Sequence, residues 1–566
     1  MAGTPSDAAV RALIAEVKRR GLKVVLYPVL MMDIGPANAL PNPSGGASQP
    51  AFPWRGRMTC DPAPGQPASA DGTATAAAQV AAFVGTVGPA DLALAGSEVV
   101  CTKPAEWSFR RHILHYARLA GAAGGVDGFI IGSEMVGLSR VRSASGVYPL
   151  VSVLQAIADD TRAMLGPSTR ITYAADWTAY GAHVLGGGDE VRFPLDPLWA
   201  SAAISVVGID YYPPVSDWRD GVDHADAAMA RSAHDLAYLA GRQQAGEAFD
   251  WFYASPAART SQTRSPIVDG AYGKPWIYRP RDLAGWWANA HVERVGSVER
   301  PAPTAWQPGS KPLWLAEIGC PAVDKGTNAP NVFPDAKSSE SARPFFSDGA
   351  RDDLALLRAV EAQVGVLDPV SALFRPAANP VMGSGPQRMI DPDDIAVWAW
   401  DARPFPAFPM LESVWSDGEN WHTGHWLNGR LESAPLDTLV AALLADYEIA
   451  PAARPEIDHV VEGYVIDRPM SAREALEPLT RLFALDAGFD QGRLTLRGRS
   501  ARPPHLISPV DLVPDTGLKP LSLRRAQDTE LPRELRIGFI DGALGLSRRN
   551  QPVAPSGRRG TARGVA

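Results

Sequence analysis

Two acidic residues sit where chemistry is done in barrel enzymes. Glu134 closes the run GFIIGSE (residues 128–134), and Glu317 closes PLWLAE (residues 312–317). A pair of carboxyl groups can cleave a glycosidic bond, one protonating the leaving oxygen while the other attacks the anomeric carbon or activates water. Both runs have the length and the bounding glycines of buried strands. Alternation along a strand puts Glu134 on the face of Gly128, Ile130 and Gly132, and Glu317 on the face of Leu313 and Leu315, so both acids are expected to point inward. The alternative for either glutamate is a structural ion pair with an arginine at the barrel rim.

Other polar and aromatic residues end strands or come just after them. Asp33, Asp176, Asp210, Tyr211 and Asp401 are strand-end groups that could bind substrate hydroxyls or raise the pKa of a neighbouring acid, although each could equally cap the next loop or helix. Sixteen tryptophans, Trp54, Trp177, Trp398 and Trp400 among them, suit a groove in which sugar rings stack on aromatic faces, and they equally suit a core filled with indoles. Trp398 and Trp400 share one strand face and are expected to floor a sugar subsite at the mouth. The histidine pairs His112/His115 and His422/His425 lack a third ligand at suitable spacing, so no metal site is expected. No P-loop, GxGxxG, HExxH or GxSxG pattern occurs, so no cofactor is expected either.

The elements that must position the two acids are read from hydrophobic period. Helical spacing runs through 6–20, 105–120, 149–165, 224–242 and 351–364, and apolar strands through 24–30, 128–134, 170–177, 204–212, 312–319 and 395–401. A Pro/Gly/Ala-rich stretch at 33–75 reads as loop. Strands alternating with helices predict parallel strands joined by crossovers, hence an α/β chain with a (β/α)8 TIM-barrel-like domain. Six strands are present where a closed barrel has eight. With the acids on the fourth and seventh strands, the barrel lacks its first two, and the chain is expected to begin partway through it. The barrel is expected over 1–410 and an aromatic linker over 411–435. A small α+β domain should come next over 436–545, then a disordered basic tail over 546–566.

Composition limits the alternatives. With a net charge of −8, 46% hydrophobic and 20% charged residues, the chain reads as an ordinary globular protein and not as a nucleic-acid binder. Cys60, Cys101 and Cys320 are too few and too scattered for a disulfide framework. No apolar run has the roughly 18 residues of a membrane span, and the N-terminus lacks the pattern of a signal peptide.

Several strings resemble the glycosidase-like TIM-barrel domain of gene transfer agent tail proteins: NPSGGASQPAFPWRGR (42–57), GSEM (132–135), PPVSDWRDG (213–221), AEIGCPAVDKGTNAPNVFPDAKSSES (316–341), VWAWDARPFPAFP (397–409) and GENWHTGHWLNGR (418–430). That likeness covers roughly residues 2–435. GYVIDRPMSAREALEPL (463–479) is similar to the phage-tail hub domain found after the barrel in that family. The resemblance implies a tail-tip or baseplate protein, made in the bacterial cytoplasm without a signal peptide and assembled into a released, phage-like particle. It implies an oligomer in contact with other tail proteins and with envelope polysaccharide or peptidoglycan, with Glu134 as acid/base and Glu317 as nucleophile. One departure weakens the enzyme implication: Ser133 stands where many such glycosidases carry an asparagine that holds the sugar 2-hydroxyl. The alternative is a structural or receptor-binding protein that keeps the fold without turnover.

Overall fold

The computed structural model describes residues 5–431, 433–450, 457–491, 493–498, 508, 527, 535–541 and 547–553. Six strands form the barrel sheet: β1 (Val25–Leu26), β2 (Gly128–Ser133), β3 (Arg170–Asp176), β4 (Val207–Asp210), β5 (Leu313–Ile318) and β6 (Ile390–Val397). They lie in sequence order and pair in parallel throughout. Helices α1 (Phe109–Ala122), α2 (Pro149–Leu165) and α3 (Asp353–Leu367) bury apolar stripes against the outer face. This is the expected TIM-barrel-like sheet of six strands. The expected helix over 224–242 is replaced by a 3-10 turn at Ala225–Ala228 and a short helix at Leu236–Gly241.

The sheet curls, so that its two edges come near each other at the end where the strands begin. Lys23, just before β1, reaches Asp393 of β6 at 3.3 Å. Inside, the Arg170 guanidinium makes two hydrogen bonds to Asp394, at 2.5 and 2.7 Å, and covers the Trp314 ring at 4.7 Å. Trp314 fills the lumen across from β2, where a Cβ added at Gly128 would collide with the indole. Gly128 is therefore fixed by packing and not by backbone conformation.

These contacts correct the alternation argument. Trp314 faces the lumen, so Leu313 and Leu315 face the helices, and both belong to the main core. A register shift between Leu315 and Glu317 then turns the acid inward. In β2 the shift falls between Ile130 and Ser133, and a Cβ at Gly132 would meet Phe109 of α1, so Gly132 does not share a face with Glu134. Both glutamates point inward because of β-bulges, which insert one residue and re-aim the side chains beyond it.

β6 ends at Val397, short of the expected strand over 395–401, so Trp398, Trp400 and Asp401 lie beyond it in a loop. Residues 411–431 pack closely on the barrel: Arg430, fully buried, bonds Asp353 at 2.8 Å, and His425 bonds the Pro330 carbonyl at 2.7 Å. Beyond them α4 (Leu436–Asp446), α5 (Ala472–Leu482) and the hairpin of Leu485–Asp490 with Arg493–Gly498 share a separate leucine-rich core. The Arg358–Asp437 ion pair, buried at 2.5 Å, and Arg231–Asp458 at 2.8 Å join this unit to the barrel. Residues 547–553 form a strand paired with 535–541, where a disordered tail was expected; the rest of that tail, 554–566, lies outside the described residues.

Replacing Gly128 by alanine is expected to cost about 1–3 kcal/mol, the usual range for overpacking a core. Adding Trp314→Ala should relieve that clash, so a denaturation double-mutant cycle should give strong coupling between the two sites. Additive effects would place Trp314 elsewhere.

Candidate active site at the carboxyl ends of the strands

The ends of β2, β4 and β5 bring three carboxyl groups together. One oxygen each from Glu134, Asp210 and Glu317 lies within 4.8 Å of the others, and all three side chains are buried. Glu134 adopts a left-handed backbone conformation, φ 50°, which non-glycine residues seldom adopt and which is concentrated at functional sites. Its amide bonds the Ala174 carbonyl at 2.9 Å, and the next amide, that of Met135, donates to the Tyr173 hydroxyl at 2.9 Å. The unusual turn is thus held by β3 from both sides.

A strap from the 33–75 loop closes over the trio. The Trp54 indole N–H donates to Glu134 Oε2 at 2.7 Å, and the Arg55 guanidinium reaches the same oxygen at 2.8 Å. Arg55 also donates to Ser133 Oγ at 2.9 Å. The strap seats closely because a Cβ at Gly137 would collide with the Met58 carbonyl oxygen. Across the top, the Ser339 amide bonds the Ala51 carbonyl at 2.9 Å, Ser338 Oγ bonds that of Phe52 at 2.9 Å, and Arg57 pairs with Glu340 at 3.0 Å. Glu134 therefore does make the ion pair that is the alternative for it, and makes it inside the cluster.

Among the described residues the two remaining acids have no such cation in contact. Tyr212 donates its hydroxyl to Glu317 Oε2 at 2.8 Å. Tyr27 donates to Asp210 Oδ2 at 3.0 Å and also interacts with Glu317. Asp210 Oδ1 has no hydrogen-bond partner among the described residues. Burial first, and then the charge of Glu134, push Glu317 up to about 7. Burial and then the charges of Glu317 and Glu134 hold Asp210 far above the usual carboxylate range. Burial works against the charge on Arg55, but Glu134, Tyr27, Asp210 and Glu317 outweigh it and keep the guanidinium firmly protonated. With Arg55 and Trp54 on Glu134 and tyrosine hydroxyls on the other two acids, the trio is set up to share protons.

The remaining expected site residues are dispersed. Asp176 lies beside the trio, buried and bonded to the Thr178 amide and hydroxyl, and burial raises it to about 6. Trp177 packs in the main core. Tyr211 turns away from the cluster and donates to the Arg281 carbonyl at 3.3 Å; its neighbour Tyr212 is the one that reaches Glu317. Trp398 and Trp400 are 45% and 59% exposed. Asp401 is tied to Arg403 and to the Trp426 indole in the loop beyond β6. Asp33 is exposed. Trp276, Trp286 and Trp306 surround the buried His291, so much of the tryptophan content fills core. Trp54 is one of many tryptophans that suit a groove, whereas Arg55 is hidden because loop composition does not mark which side chain folds back over a strand end, and Tyr27 and Tyr212 are hidden because they read as ordinary strand residues.

Glu317 has a consequence for stability. It ionises near the ordinary 4.5 in the unfolded chain and near 7 in the folded one, so the folded state holds an extra proton between those values. Stability from this residue is full below pH 4.5 and falls as pH rises to 7, above which the charge costs about 3 kcal/mol. Thermal unfolding of Glu317→Gln should show a higher Tm than wild type at pH 8 and little difference at pH 4. An equal effect at both would mean that Glu317 is not held protonated.

Among curated proteins no relative matches the chain. Two family models do. The model described as "GTA TIM-barrel-like domain" matches residues 107–409, which include β2 to β6 and both glutamates. A model described as "Putative phage tail protein" matches residues 471–551. The barrel match spans more than half of the 566 residues, and the chain belongs to the GTA TIM-barrel-like domain family, as a tail protein of gene-transfer-agent or phage type.

Proposed function

We propose that the barrel binds glycan of the recipient cell envelope, polysaccharide or peptidoglycan, and hydrolyses it with retention of configuration. The observation that carries this reading is the Glu134–Glu317 pair, with carboxylate oxygens within 4.8 Å at the mouth of the barrel. Retaining glycosidases hold the two carboxyls roughly 5–5.5 Å apart, and inverting ones roughly 6.5–9.5 Å, to admit a water. Glu317 then attacks the anomeric carbon as the carboxylate, forming a glycosyl ester while the glycosidic bond breaks. Glu134 gives its proton to the leaving oxygen and afterwards takes one from the water that cleaves the ester. Trp398 and Trp400, exposed beyond β6, offer stacking surfaces, and Asp176, Trp177, Asp210, Tyr211 and Asp401 are the further candidates around the sugar. The phage-tail match supports assembly with other tail or baseplate proteins into a phage-like particle, in more than one copy.

A second reading, a structural or receptor-binding barrel without turnover, is favoured by the strap itself. Glu134 and Glu317 are only 8% and 7% exposed, and Glu134 Oε2 already accepts the Trp54 indole N–H and pairs with the Arg55 guanidinium.

Release of reducing sugar from alphaproteobacterial envelope polysaccharide and peptidoglycan distinguishes the two. Glu317→Gln and Glu134→Gln are each expected to lower the rate by about 10²-fold or more, in keeping with loss of an acid/base or nucleophilic group, while glycan binding persists. Folded wild type that binds and releases nothing would favour the receptor-binding reading.

A further inference from the structure

Among the described residues the three carboxyl groups share one cation, Arg55, and it is on a loop. Arg55 and Glu134 have side chains 12% and 11% exposed and Asp210 is fully buried, and the strap that carries Arg55 lies against Glu134 through Trp54 as well. The groups facing one another here are Tyr27, Arg55, Glu134, Asp210, Tyr212 and Glu317, with Tyr173 and Asp176 behind Glu134. Glu134 Oε2 receives both a guanidinium and an indole N–H, whereas Glu317 receives tyrosine hydroxyls and faces Asp210. An ion-paired carboxylate is a poor proton donor, so the arrangement is the reverse of what Glu134 needs in order to act as an acid.

We propose that Arg55 is a positioning residue that decides which glutamate holds the proton: while it lies on Glu134 the proton rests on Glu317, and when an incoming sugar draws it away the proton crosses to Glu134. The inference rests on the hydrolytic reading above and adds the step that arms it. The balance is one proton. Before the step Glu134 is the carboxylate paired with Arg55 and Glu317 is the acid. Afterwards Glu134 is the acid, Glu317 is the carboxylate that attacks, and Asp210 is unchanged. The trio carries the same charge throughout, which a buried site requires. The two glutamate oxygens lie within 4.8 Å, wider than a direct hydrogen bond, so the proton crosses through one bridging water that gives a proton to Glu134 and takes one from Glu317. Binding thus converts a resting pair into an active one.

The test needs no substrate, so its failure and that of the hydrolytic reading are separable. The full chain is labelled with ¹³C at glutamate carboxyls and examined by isotope-edited infrared spectroscopy at pH 6, where ordinary glutamates are charged. Wild type should show a protonated-carboxyl band that Glu317→Gln abolishes. Adding Arg55→Met to Glu317→Gln should restore such a band, now from Glu134, and adding Arg55→Lys instead should not. A band that survives Glu317→Gln, or one that stays absent in Arg55→Met/Glu317→Gln, would overturn the proposal. Circular dichroism checks folding of each variant, and Arg55→Gln replaces Arg55→Met if the latter does not fold. A merely structural arginine would leave the band where it was.

Discussion

Three carboxyl groups packed within 4.8 Å of one another and away from water cannot all be charged, since like charges in a low-dielectric site oppose one another strongly. Everything around them is arranged as a solution to that constraint. One charge is met by Arg55 and supported by the Trp54 indole, and the other two groups are capped by tyrosine hydroxyls. The strap, the bulges and the glycine seat at residue 137 all serve to hold this arrangement. Removing the strap would expose not a finished active site but an unbalanced one.

The barrel supplies the geometry by breaking its own regularity. A strand of strict alternation would have put Trp314 and Glu317 on opposite faces, and the bulge in β5 gives both to the lumen. β2 repeats the device before Glu134. The ends where the strands begin are filled by Trp314, Arg170 and Asp394, and the ends where they finish by ionisable groups. Packed side chains and the ionisable cluster thus occupy opposite ends of one lumen.

The strands and the two glutamates are legible in the sequence because buried parallel strands are apolar runs bounded by glycine, and an acid at the end of such a run is conspicuous. Their inward direction is expected for a reason that the structure corrects, since period 2 cannot anticipate an inserted residue. Tyr211 and not Tyr212 looks like the site residue because the choice turns on how the backbone leaves β4. Arg55 and Trp54 lie about 80 residues from Glu134 in sequence, in a stretch whose composition says only that it is loop. Trp276, Trp286 and Trp306 show the converse: abundant indoles suggest a sugar groove, and a buried histidine gathers those three into core.

The ion pairs between the barrel and the C-terminal unit have a mechanical meaning. Arg358 and Asp437 are both buried, and separating such partners leaves an uncompensated charge at a cost of about 3–5 kcal/mol. Arg231 to Asp458 adds a second attachment, and the first falls on α3, the helix that packs against β6 and comes after the β5 strand carrying Glu317. A pull on the tail-like unit would therefore load the barrel wall at α3 through the Arg358–Asp437 pair before the connecting chain takes it up.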